Sequence, residues 1–167
     1  LPTDITFWSP FILSFTVTVT DAGNGVLNTA KEVTGSATFT NTYEADGEFD
    51  VDEEIGVNKV LNAGGRLLGN EEFTFELKQG DAVIESVKNA LDGTVSFANL
   101  VYDEADIGKT YDYSIKEIIP AEVEAGMAYD SLVINFSVTV TDEGGGVLKA
   151  TATIPADTEF NNVYTAT

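Results

Sequence analysis

The stretch Phe15-Thr-Val-Thr-Val-Thr-Asp-Ala-Gly-Asn-Gly-Val-Leu27 returns 121 residues later as Phe136-Ser-Val-Thr-Val-Thr-Asp-Glu-Gly-Gly-Gly-Val-Leu148. Phe39-Thr-Asn41-Thr-Tyr43 returns at the same offset as Phe160-Asn-Asn162-Val-Tyr164. Two ungapped matches at one displacement mark an internal repeat. Residues 1–43 therefore correspond to 122–164, and one full repeat follows only the last third of another. So few strands cannot close a core alone. We expect residues 1–46 to be the C-terminal third of a preceding repeat plus a linker, and residues 47–167 to be a complete domain. The orphan strands either come from a longer tandem array or are completed by a neighbouring molecule through strand addition. The acidic junction from Glu44 to Glu54 reads as the interdomain linker.

Within the full repeat, hydrophobicity alternates with period two. Val57, Lys59 and Leu61 share one face of a strand, as do Phe73, Phe75 and Leu77, and the set Leu132, Ile134, Phe136, Val138 and Val140. Turn chemistry separates these runs at Ala63-Gly-Gly65, Gln79-Gly-Asp81, Leu91-Asp-Gly93 and Asp142-Glu-Gly-Gly-Gly146. Short strands at this spacing predict an all-β sandwich, with helix only as a short turn around Asp103 to Ile107.

Composition removes several function classes. A net charge of -20 opposes binding to nucleic acid and to anionic membrane surfaces, both of which require Lys and Arg. With neither Cys nor His, the chain has no disulfide, no thiolate metal site and no Ser-His or Cys-His nucleophile pair. No apolar run is long enough to insert in a membrane. No cofactor or metal is expected.

Three polar residues fall on apolar faces. Tyr111, Tyr113 and Ile115 share a strand face with Glu117, and Asn162 lies between Phe160 and Tyr164 on another. Lys59 lies between Val57 and Leu61. An amine, a carboxyl and an amide buried without partners would cost several kcal/mol, so they need one another. Singly, each has a plainer reading: Lys59 as an exposed lysine with a packed stem, Glu117 as a strand end before Pro120, and Asn162 as a turn cap.

Taken in order, Lys59-Val-Leu, Gly65-Arg-Leu-Leu, Phe73-Thr-Phe-Glu-Leu77, Tyr111-Asp-Tyr-Ser-Ile-Lys-Glu117, Phe136-Ser-Val-Thr-Val-Thr-Asp142 and Phe160-Asn-Asn-Val-Tyr164 resemble the pilin isopeptide-linkage repeats of Gram-positive pilus subunits. The resemblance spans nearly all of 55–164 and implies an immunoglobulin-like (CnaB-type) sandwich. In it a Lys on the first strand bonds to an Asn on the last, with a Glu on a central strand as catalyst. Residue by residue, these are Lys59, Asn162 and Glu117. Desolvation favours a neutral amine and a neutral carboxyl. Lys59 would attack while Glu117, hydrogen-bonded to the Asn162 carboxamide oxygen, shuttles a proton to the departing ammonia. The reaction turns over once, so the chain is not an enzyme in the usual sense.

The function so implied is a structural subunit or stalk module of a cell-surface pilus, extracellular and joined to neighbouring copies or tandem repeats. The alternative is an adhesin domain for a host surface ligand, and a carboxylate-based glycosidase finds no cleft signature. Asn41 matches Asn162, and its site is incomplete or externally completed. No motif marks which of Lys31, Lys78, Lys88, Lys109, Lys116 and Lys149 a sortase would use. The acidic clusters 50–54 and 103–106 and the turn 21–25 are expected to be solvated linker or turns rather than calcium loops. Trp8, which falls at the position of Tyr129 in the repeat, is expected to pack at a strand end rather than form a ligand platform.

Overall fold

A computed structural model describes residues 13–35, 38 and 40–166. Trp8 and Phe39 lie outside the described residues. The chain divides into two compact units, Leu1–Glu44 and Ala45–Thr167.

In the first unit, β1 (Ser14–Gly23) and β2 (Val26–Thr34) form an antiparallel hairpin with a register shift between Asp21 and Gly23. The Asp21 carboxylate accepts from Gly23 N–H at 2.8 Å, and Gly23, Asn24 and Gly25 all take positive φ, which pins the turn.

The second unit packs a large sheet against a small one, a β-sandwich. Its strands are β3 (Asp46–Phe49), β4 (Asn58–Asn62), β5 (Thr74–Gln79), β6 (Ala82–Lys88), β7 (Leu100–Asp103), β8 (Thr110–Ile118), β9 (Met127–Ala128), β10 (Val133–Gly144), β11 (Val147–Ala152) and β12 (Glu159–Tyr164). The large sheet runs β6-β5-β8-β10-β11-β3-β7, and the small one β4-β12-β9. Period-two alternation builds the interior. Phe75 and Leu77 of β5, Tyr113 and Ile115 of β8, and Ile134, Phe136, Val138 and Val140 of β10 are all buried. Phe75 meets Phe160 of β12 across the sheets at 5.2 Å between ring centres. Burying each such ring contributes about 1.5–3 kcal/mol.

Two expectations are corrected. The acidic junction is not a linker: Asp46–Phe49 is a strand paired with β7 and β11, and Val51–Glu54 is a helical turn, α1, capped by Asp50, whose carboxylate accepts from Glu53 N–H at 2.9 Å. Phe49 and Val51 are buried, so burial of two side chains outweighs the charge around them. The boundary accordingly falls before Ala45, itself buried. Lys59 therefore sits on the second strand of its unit, behind β3 and α1, rather than on the first. The short helical turn expected near Asp103 is present as a 3-10 turn at Glu104–Asp106, with Asp103 and Asp106 forming a capping box.

Candidate functional site

β4 and β12 lie side by side in parallel, with Lys59 opposite Phe160 and Leu61 opposite Asn162. β8, in the facing sheet, presents Glu117 opposite Phe75 of β5. The alternation of each strand turns Lys59, Glu117 and Asn162 inward, and all three are buried, with Lys59 1% and Asn162 0% exposed. The plainer single readings of these residues, an exposed lysine, a strand end and a turn cap, do not describe their positions.

One carboxylate bridges the other two groups. Glu117 Oε2 accepts from Lys59 Nζ at 2.8 Å, and Glu117 Oε1 accepts from Asn162 Nδ2 at 2.7 Å. Lys59 Nζ also donates to the Phe160 carbonyl at 3.2 Å and stands 4.7 Å from the centre of the Phe73 ring. Burial drives the Lys59 amine below its ordinary pKa, and the hydrogen bond and charge of Glu117 oppose that fall without cancelling it. A lowered pKa favours the unprotonated amine, the form that acts as a nucleophile.

The orientation of the amide differs from the expectation. Glu117 faces the Asn162 NH2 rather than its oxygen. The oxygen instead accepts from the backbone N–H of Asp130 at 2.8 Å. Asp130 is held in place by its own carboxylate, which accepts from Leu132 N–H at 2.9 Å and from Asn161 N–H at 2.7 Å. Asp130 was not among the candidates from sequence, since a backbone donor leaves no mark in side-chain pattern. The only local signal is an Asp two residues before an alternating strand, where it can close a turn on the backbone. Phe73 appeared only as a core position, and its ring against the amine depends on how β4 and β5 face each other.

Gly93 lies along the edge of β4 opposite β12, next to the Asn58–Thr94 bridge. Its carbonyl accepts from Lys59 N–H at 2.7 Å, its φ is +96°, and a Cβ there would collide with the Lys59 carbonyl oxygen.

The fourth sequence candidate, Asn41, is exposed and belongs to the first unit. Among the described residues no cluster of acidic side chains is arranged to hold a metal ion. Asp50, Asp103 and Asp21 direct oxygens to backbone N–H groups of their own turns, and Asp52 accepts from Phe97 N–H at 2.9 Å. No helix among the described residues is long and apolar enough to cross a membrane.

The family model described as the Spy0128-like isopeptide containing domain, FctA, matches residues 55–165, a span that contains Lys59, Glu117, Asp130 and Asn162. No curated protein matches the chain.

Proposed function

The chain belongs to the family of Spy0128-like isopeptide-containing domains, and on that premise we propose that Lys59 and Asn162 condense into an amide that staples β4 to β12. The observation that carries this reading is the single buried carboxylate of Glu117 hydrogen-bonded to both the amine and the amide nitrogen.

The geometry supports the following steps. Lys59 passes a proton to Glu117, leaving a neutral amine and a neutral carboxylic acid, a pair that a desolvated site favours over two charges. The amine nitrogen attacks Asn162 Cγ, and the electron pair of the C=O bond moves onto Oδ1, where the Asp130 N–H stabilises the developing charge. Glu117 returns its proton to Nδ2 and takes one from the attacking nitrogen. As the oxyanion collapses, the Cγ–Nδ2 bond breaks and ammonia leaves. One C–N bond forms, one breaks, and Glu117 ends as it began the attack, protonated. The fold contributes the rest by holding the reactants together, an advantage worth about 7–11 kcal/mol in well-oriented intramolecular reactions.

The cross-link suits a load-bearing module, and the role we assign is a pilus subunit or stalk repeat on the surface of a Gram-positive cell, joined to neighbouring copies or tandem repeats. The domain acts on itself once and needs no cofactor.

Intact mass spectrometry of the folded chain tests the chemistry. The expected mass is one ammonia below that of the sequence, and Glu117→Ala, Lys59→Ala and Asn162→Ala each restore the full mass while circular dichroism still reports strand. A folded parent chain at full mass would overturn the reading.

A further inference from the structure

The antiparallel ladder between β9 and β12 stops one rung short of the site. Tyr164 pairs with Met127 and Val163 with Ala128, and Thr165 N–H donates to the Gly126 carbonyl at 2.9 Å. Hydrogen-bonded and open pairs alternate along such a ladder. Gly126 and Thr165 are a bonded pair, so the next bonded positions are Ala128 with Val163 and then Asp130 with Asn161. At that last rung the main chains would exchange two bonds, Asp130 N–H to the Asn161 carbonyl and Asn161 N–H to the Asp130 carbonyl. Side chains take both places. Asn161 N–H donates to Asp130 Oδ2 at 2.7 Å, and Asp130 N–H donates to Asn162 Oδ1 at 2.8 Å. Asp130 Oδ1 accepts from Leu132 N–H at 2.9 Å, which closes a turn where the chain leaves β12 for β10.

The substituted rung decides how the Asn162 amide lies. While Lys59 holds its proton Glu117 can only accept, and a main-chain N–H can only donate. Glu117 Oε1 meets Nδ2 at 2.7 Å and the Asp130 N–H meets Oδ1, so each end of the amide has the partner it needs. Turned over, the amide would set oxygen against carboxylate and NH2 against N–H. Asn162 is fully buried, where such unpaired groups are costly.

We infer that Asp130 is a positioning residue. By filling the rung, its side chain keeps its own N–H off the Asn161 carbonyl and on the Asn162 oxygen, and so holds the leaving nitrogen against Glu117. The consequence for rate rests on the condensation proposed for Lys59 and Asn162, whereas the orientation does not. The charge of Asp130 works the other way. Burial lowers the Lys59 pKa, and the Asp130 carboxylate is among the charges that oppose the fall. Loss of that charge alone would free more of the amine and hasten attack, so charge and position predict opposite signs.

Two measurements test the role. In Lys59→Ala, which cannot condense, a through-hydrogen-bond NMR correlation should join the residue 130 amide nitrogen to Asn162 Cγ. In Lys59→Ala/Asp130→Ala the vacated rung should close, moving the correlation to the Asn161 carbonyl carbon. Should that pair lose its strands by circular dichroism, Lys59→Ala/Asp130→Asn serves instead: one amide oxygen cannot replace both carboxylate oxygens, so the Asn162 correlation should weaken. For the rate, chain recovered unfolded from inclusion bodies is refolded and its ammonia loss followed by intact mass. Asp130→Ala should lose ammonia at least about tenfold more slowly than the parent, a part of the roughly hundred- to thousandfold that an oxyanion donor is worth. Asp130→Asn should fall between the two, still slower than the parent. A correlation that stays unchanged on Asn162 Cγ overturns the inference even where ammonia loss is slow, because the role is then structural only. Parental or faster ammonia loss in both variants overturns it as well. A parent chain that loses no ammonia overturns the condensation itself, and the NMR comparison still decides the orientation.

Discussion

A lysine amine sealed between two sheets holds its proton only as well as its neighbours allow. Around Lys59 they are one carboxylate, one carbonyl and the face of a phenyl ring, and desolvation dominates, lowering its pKa. Condensed as proposed, the amine would no longer titrate, so its cost should be visible only where the bond is blocked. In Asn162→Ala the amine remains, with Glu117 beside it. Its folded pKa lies below the unfolded value of 10.5, so the unfolded chain binds more protons between the two values and stability rises with pH there. The penalty is complete below the folded pKa and gone above the unfolded one. Each unit of difference is worth about 1.4 kcal/mol. Urea midpoints of the variant and the parent should therefore converge as pH rises from 7 toward 10.5, apart from the constant contribution of the cross-link. Tyr102, Tyr111 and Tyr113, whose phenols are pushed up by burial or by a carboxylate neighbour, titrate in both proteins and drop out of the difference. A gap that stays constant or widens with pH would contradict a lowered Lys59 pKa.

At the scale of strands, the site depends on the position of β4, and Gly93 bonds to its edge. Alanine there would have to hold φ near +96° and push its Cβ into the Lys59 carbonyl. Gly93→Ala should destabilise the uncross-linked domain by about 2–3 kcal/mol and move the amine off its line to Asn162. In a refolding time course followed by mass, ammonia loss should slow at least tenfold, since a displacement of about 1 Å can cost a hundredfold in a positioned reaction. Wild-type kinetics in Gly93→Ala would show that β4 tolerates the shift. The strands that carry the triad were legible in the sequence because each is buried on one side only. That alternation turned Lys59, Glu117 and Asn162 inward before any neighbour was known. β3 and α1 were hidden because Asp46, Glu48, Asp52, Glu53 and Glu54 are exposed acidic residues, and only Phe49 and Val51 report the core. The Asp130 N–H was hidden for a different reason. A main-chain donor belongs to every residue but proline, and only the paired geometry of β12 with the chain beside it reveals which one meets the amide.

For the second unit as a whole, the proposed bond would divide the chain into a shielded loop and a short lead. Tension entering at Ala45 and leaving at Thr167 would run along residues 45–58, through the Lys59–Asn162 amide and out by the end of β12. Because β4 and β12 are parallel neighbours, pulling their opposite ends loads the pair in shear. The roughly one hundred residues between Lys59 and Asn162 amount to about 350 Å of contour that a closed bond withholds. β3 and α1 precede Lys59, so they lie outside the loop, and their detachment can release at most about 50 Å. Single-molecule extension of a chain held at both ends of this unit should therefore show lengthening below about 50 Å in the parent, whereas Glu117→Ala should release about 350 Å more. The same comparison without force should separate the two thermally. By analogy with a disulfide that closes a loop of this size, the proposed bond would stabilise by about 4–5 kcal/mol, on the order of 15–20 °C in Tm for a domain of this length. The force experiment is the sharper of the two, because a temperature difference could follow from losing the buried carboxylate alone. A fixed ceiling on extension requires a covalent path, and a parent chain that pays out the full contour would show that none exists.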